Sequence, residues 1–197
     1  MADRMEISLF DAGMFIGALL SGDPRHSEAR ELVEAARSGT ISACTTPGIL
    51  SEVYGALTWE RAQPRHSPTE AAETVRLLIE PPSAIEVLEE YPLNNWGRLS
   101  SRARHFASAW HVGPGKLRGY LEEGLDTILR TLVLAAVHRL TARRVHDARH
   151  AAVALQAGIR SVHTYDADDW LIFAEAGLHI AGPSSTLARL LQSDPRL

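Results

Sequence analysis

The sequence predicts an α/β layered domain with a mainly parallel central sheet flanked by helices. Three observations predict it. Short apolar runs ("EISLF", "TISACT", "AIEVL", "IRSVHT") alternate with helical patterns along the chain. The helical patterns carry start and stop chemistry at their ends. Acids stand just past two of the apolar runs, Asp11 after the first and Asp166 after the fourth, where an open parallel sheet places its ligands.

"EISLF" ends at Asp11, and "GMFIGALL" follows as the start of a helix. "GDPRHSEARELVEAARSG" predicts a helix with Asp23 as N-cap, Pro24 at the first helical position and Gly39 closing it. "TISACT" is a second strand, and a helix beginning near Pro47 includes "GILSEVYGALTWERA". In "SPTEAAETVRLLIE", Ser67, Pro68 and Glu70 form a capping-box start, and Pro81 and Pro82 end that helix. "AIEVL" is a third strand. Two helices joined by "VGPG" are predicted over "GRLSSRARHFASAWH" and "KLRGYLEEGLDTILRTLVLAAVHRLTA". "HDARHAAVALQAG" is a further helix closed by Gly158. "IRSVHT" is a fourth strand, "DDWLIFAEAG" a short helix, "LHIAG" a fifth strand and "STLARLLQ" a terminal helix.

A length of 197 residues with 45% hydrophobic content suits one domain, or a domain with an added subdomain, and a substantial core. The single cysteine, Cys44, excludes an internal disulfide and a cysteine-based zinc site. No stretch has the form of a secretory leader, and the longest apolar runs fall far short of the roughly 20 residues that span a bilayer. The expectation is a cytoplasmic protein with no membrane partner. Its net charge of −4 is unevenly placed: from Arg98 to Arg149, nine Arg and Lys116 face Glu122, Glu123, Asp126 and Asp147, a local +6 that leaves −10 for the rest. An acidic body with a basic middle segment fits a polyanionic partner touching one region, or a set of solvated helix faces.

Four acids are out of place for surface residues. Asp11 and Asp166 lie at strand ends. Glu52 lies beside an apolar stripe, three positions after Ile49 and four before Ala56. Asp147 shares a helix face with Ala151 and Ala154, near a start where the helix dipole also favours an acid. Each alone reads as structural or solvated. Together they repel unless they protonate, pair with basic groups or bind a cation. Mg²⁺ suits such a set because it takes oxygen ligands and keeps several waters; the Cys and His clusters of a zinc site are absent.

The succession "FDAGMFIGALL", "TTPGILSEVYGAL" and "VHDARHAAVALQAGIRSVHTYDADDW" resembles the PIN-domain ribonucleases, in particular the VapC-type toxins of toxin–antitoxin pairs. The resemblance covers roughly the first 90 and last 60 residues. It implies a single PIN-like domain over 1–197 with a basic helical insertion at about 94–142. It also implies a metal-dependent endoribonuclease, the toxin of a type II pair, with Asp11, Glu52, Asp147 and Asp166 as catalytic residues and Mg²⁺ ligands, Mn²⁺ being the substitute ion. Thr164 matches a hydroxyl residue that supports the fourth acid. Asp169 is a further candidate ligand, and Asp168 is preferred as a cap for the short helix before Trp170. Arg98, Arg102, Arg143, Arg144 and Arg149 are candidates for contact with RNA or with a small antitoxin. A homodimer is expected by resemblance alone.

The chain departs from the family pattern at Ala12 and Gly13, where hydroxyl and small polar side chains usually follow the first acid. That departure favours an alternative, a non-catalytic PIN-like module binding RNA or protein. An aspartyl-phosphate phosphotransferase is a weaker rival, because "DAG" lacks a second acid two positions after the nucleophile and "GPGK" is too short for a phosphate loop.

Overall fold

A computed structural model describes residues 7–88 and 144–182. Its elements are β1 (Ser8–Phe10), α1 (Ala12–Leu19), α2 (His26–Arg37), β2 (Ala43–Thr45), α3 (Pro47–Thr58), α4 (Pro68–Ile79) and β3 (Glu86–Val87). After the undescribed segment come α5 (Arg144–Gln156), β4 (Ser161–His163), α6 (Ala167–Trp170), a 3-10 turn (Leu171–Ala176) and β5 (His179–Ala181). The predicted helices within 94–142 and the predicted terminal helix lie outside the described residues.

The five strands form one sheet in the order β3-β2-β1-β4-β5, and every pairing is parallel. Strands buried on both faces should read as continuous apolar runs rather than alternating ones, and β1, β2 and β4 are buried at every position. Phe10 is in register with His163, and His163 with Ala181. From β1 the chain winds outward to β2 and β3 on one side, while β4 and β5 lie on the other. The strand order therefore switches between β1 and β4, and the carboxyl ends at such a switch are where open parallel sheets bind ligands.

Leu9, Phe10, Phe15, Ile49, Val53, Leu57 and Val162 fill the core, each essentially excluded from solvent. α5 packs with Ala148, Ala151, Ala152 and Ala154 buried, small side chains that bring its backbone close to its neighbours. Gly17 does the same where α1 meets α2: a Cβ there would stand 3.1 Å from the Ala29 Cβ, closer than such atoms normally approach.

The capping box at Ser67 forms as predicted: the Glu70 amide donates to Ser67 Oγ at 3.3 Å, and the Ser67 amide to Glu70 Oε2 at 2.8 Å. α4 stops at Ile79, ahead of the two prolines. Two cap expectations are corrected. α2 begins at His26, not at Pro24, because Asp23 Oδ1 accepts from the Arg25 amide at 2.8 Å and closes a turn before the helix instead of capping it. Asp168 lies inside α6, and Asp166, two residues earlier, holds the N-cap position, because the Asp166 amide donates to Thr164 Oγ1 at 2.9 Å and starts the turn there.

Candidate functional site

Asp11 follows β1 directly and is 6% exposed. It occupies the N-cap position of α1 without a side-chain cap bond, because Oδ2 instead accepts from the Thr164 hydroxyl at 2.9 Å. Thr164 follows β4, the strand paired with β1, so register brings it opposite Asp11 from 153 residues away. Its oxygen also accepts the Asp166 amide. One hydroxyl thus ties both strand ends together. Burial pushes the Asp11 carboxyl up from the usual range, and the Thr164 hydrogen bond offsets part of that.

Thr46, after β2, caps α3 by accepting the Ile49 amide at 3.2 Å, with Pro47 at the first helical position. One turn on, Glu52 leaves α3 toward α5, where His150 Nε2 lies 3.0 Å from its Oε1. His150 Nδ1 in turn lies 3.0 Å from Thr46 Oγ1. Asp147 sits in the first turn of α5, three residues before His150 and so on the same side of that helix. Its carboxyl is pushed up to about 7, first by burial, then by the negative charges of Asp11 and Glu52, with His150 acting against them and Asp169 adding to them.

Asp11, Glu52 and Asp147 therefore share one electrostatic environment at the carboxyl edge of the sheet, delivered by a strand end and two helices. Asp166 stands at its rim. It is exposed, it acts on Arg25, and its Oδ2 lies 4.0 Å from where a Cβ on Gly13 would be, against the first turn of α1. A cavity of about 400 Å³ opens over Tyr165, Asp166, Ala167, Asp168 and Asp169.

Among the described residues, no three His, Cys, Asp or Glu side chains converge closely enough to hold one metal ion. Like charges repel, and Asp11 and Glu52 each turn an oxygen to a neighbouring donor, Thr164 and His150. The donor chemistry still fits a hard divalent cation. Such an ion needs only one or two direct carboxylates when it keeps its own waters, with the others reached through them.

His150 and Thr46 were not among the sequence candidates. The spacing of Asp147 and His150 on one helix was a usable signal; the partnership with Thr46 exists only in three dimensions. Of the basic candidates, Arg149 is exposed on α5 and Arg144 opens that helix, while Arg98, Arg102 and Arg143 lie outside the described residues.

A parallel sheet in this order, with acids at its switch point, matches the layered arrangement implied by the acid motifs. The fold is an α/β layer built on one all-parallel five-stranded sheet. No family model and no curated protein matches the chain. Among solved structures it is similar to Mycobacterium tuberculosis VapC20, a sarcin-ricin loop cleaving toxin, at 17% identity and a TM-score of 0.48, over 88% of this chain and 97% of that one. It is also similar to FitAB bound to an IR36 DNA fragment, at 13% identity and a TM-score of 0.45, over 90% and 95%. The chemistry of this chain follows from its own residues. No helix among those described is long and apolar enough to cross a membrane.

Proposed function

We propose that the chain is a divalent-metal-dependent endoribonuclease, the toxin of a toxin–antitoxin pair. What supports this reading is the arrangement of Asp11 on Thr164 after β1 and of Glu52 on His150 between α3 and α5; burial, with the charges of these two acids, raises the Asp147 carboxyl. Three acids from three elements are gathered where ligands bind in such sheets. A site of this kind is under electrostatic stress, which a bound cation relieves.

Asp147 and Asp11 are the residues that would hold Mg²⁺ or Mn²⁺, with Glu52 and Asp166 acting directly or through water and Asp169 as a further neighbour. The bound ion would polarise a phosphoryl oxygen and lower the pKa of a water. The chain's own contributions are distinct from that. Thr164 orients Asp11 and ties it to the turn carrying Asp166. Glu52, 42% exposed, is the acid best placed to accept a proton from a solvent-side nucleophile. RNA as the substrate, the small antitoxin and the homodimer rest on the resemblance of the acid motifs. The local +6 charge of the stretch from Arg98 to Arg149 suits a phosphate backbone that an acidic pocket by itself repels.

A second reading has an observation in its favour. The absence of a converged three-residue ligand group among the described residues, together with Ala12 and Gly13 in place of polar side chains, fits a PIN-like module that binds RNA or protein without cleaving. Incubating the purified chain with a panel of cellular RNAs, with Mn²⁺ or Mg²⁺ and with chelator, decides between them. Cleavage that needs the ion and vanishes in Asp147→Asn supports the nuclease. RNA or partner binding with no cleavage under any ion supports the module.

A further inference from the structure

His150 is a polar side chain 1% exposed on the alanine-packed face of α5. A buried imidazole costs free energy unless both ring nitrogens find partners. Here both do, Thr46 on one side and Glu52 on the other, from 104 and 98 residues away. An ionised carboxylate only accepts, so Nε2 carries the proton that faces Glu52. Thr46 Oγ1, which also accepts the Ile49 amide, meets Nδ1 on the other side of the ring.

We propose that His150 is the positioning residue for Glu52: its Nε2–H fixes one Glu52 oxygen toward the acid pocket, while the Thr46 hydroxyl holds the ring in place. The inference rests on the nuclease reading above and names how that site is assembled. Glu52 is a long, half-exposed side chain on α3, and a hydrogen bond to a buried ring narrows its rotamers. The tether comes from the same face of the same helix that delivers Asp147. A single placement of α5 against the β2–α3 junction therefore sets both acids at once. Outer partners of this kind, donating to a carboxylate that serves the reacting centre, commonly matter as much as the ligands they orient.

The test is a double-mutant cycle with His150→Leu, Glu52→Gln and the pair, read as Mn²⁺ affinity by calorimetry and as kcat against KM on a cleaved RNA. His150→Leu should lower Mn²⁺ affinity and kcat by about 10–100-fold with KM little changed. In the Glu52→Gln background the same change should alter either by less than about threefold, because the residue it acts through has already been altered. His150→Gln, whose amide N–H can stand in for Nε2–H, should recover part of the loss. Effects that add in the double variant overturn the proposal and leave His150 as a packing residue. Should His150→Leu fail to fold, Thr46→Val replaces it in the cycle with the same expectation and the same overturning result. A wild-type chain that binds no Mn²⁺ and cuts no RNA overturns the proposed function and this role together, whereas an active wild type with an additive cycle overturns the role alone.

Discussion

Asp23 and Asp147 are both acids near the start of a helix, and their carboxyl groups are shifted in opposite directions. Asp23 takes a two-pronged contact from Arg25, with Nε and Nη2 each 3.0 Å from a carboxylate oxygen, and the guanidinium holds its carboxyl below the usual value. The same guanidinium lies 4.6 Å above the Tyr165 ring and acts on Asp166. Asp147 is acted on instead by burial and by other acids, and its carboxyl rises to about 7. The chain thus supplies a cation to the outer patch, while the strongest influences in the inner pocket are desolvation and like charge. Among the described residues, a forked guanidinium sets Asp23, whereas burial and the charges of Asp11 and Glu52 set Asp147.

The largest expected effect comes from removing the inner charge. Asp147→Asn should cut metal-dependent RNA cleavage by about 10²–10³-fold, the size seen when one preorganised electrostatic stabiliser is lost, while circular dichroism stays unchanged. Retained cleavage would mean that the inner pocket is not the reacting centre. Metal and proton compete for this carboxylate, so calorimetric Mn²⁺ affinity of the wild type should rise with pH through about 7, and Asp147→Asn should lose that slope.

Stability should change in the opposite direction to activity. A carboxyl raised above its ordinary 3.8 binds its proton more tightly in the folded state, so its contribution to folding is complete below pH 3.8 and is lost as pH rises through about 7. Asp147 is only partly buried, and solvent screening limits the size to about 1–2 kcal/mol. Urea midpoints of the metal-free protein should therefore fall across that window for wild type and stay flatter for Asp147→Asn, which becomes the more stable of the two above about pH 7. Parallel curves for the two proteins would remove the contrast between the inner and outer acids.

Breaking the outer pair should cost less. Arg25→Gln leaves Asp23 without its fork and Tyr165 without the stacked cation, a loss of about 0.5–1.5 kcal/mol in denaturant unfolding for a part-exposed pair. Mn²⁺ affinity should be nearly unchanged. A large fall in affinity would move Arg25 into the metal-binding machinery.

The smallest effect is expected at Gly13. An added Cβ would meet Tyr165 Cβ at 3.9 Å and Asp166 Oδ2 at 4.0 Å, ordinary contact distances. Gly13→Ser should therefore fold, gain a few tenths of a kcal/mol from helix propensity, and set a hydroxyl beside the Asp166 carboxylate. A severalfold tightening of Mn²⁺ binding would show that Ala12 and Gly13 weaken the pocket, and no change would confine Asp166 to the rim.

Much of this was legible in the sequence. The alternation of "EISLF", "TISACT" and "IRSVHT" with capped helices gave the layers, because a strand buried on both faces must be apolar throughout. The capping box at Ser67 and the stop before Pro81 depend on local geometry alone, and both formed. Asp11, Glu52 and Asp147 were conspicuous because acids on apolar faces are costly. Local chemistry was read less well where two local options competed: Asp23 closed a turn before α2 instead of capping it, and Asp166, not Asp168, took the N-cap position of α6.

The sequence by itself determined which segments become strands and helices and which acids are too costly to leave unpartnered, since propensity, capping and burial pattern act within a few residues. Tertiary structure alone decided the partners. Parallel register between β1 and β4 set the Thr164 hydroxyl on Asp11, the packing of α5 on α3 set His150 between Thr46 and Glu52, and the outward path of the chain after β4 left Asp166 at the rim beside Arg25. A hydrogen bond acts over about 3 Å in space whatever the separation along the chain, so contacts spanning some hundred residues are fixed by how the layers close and not by any local pattern.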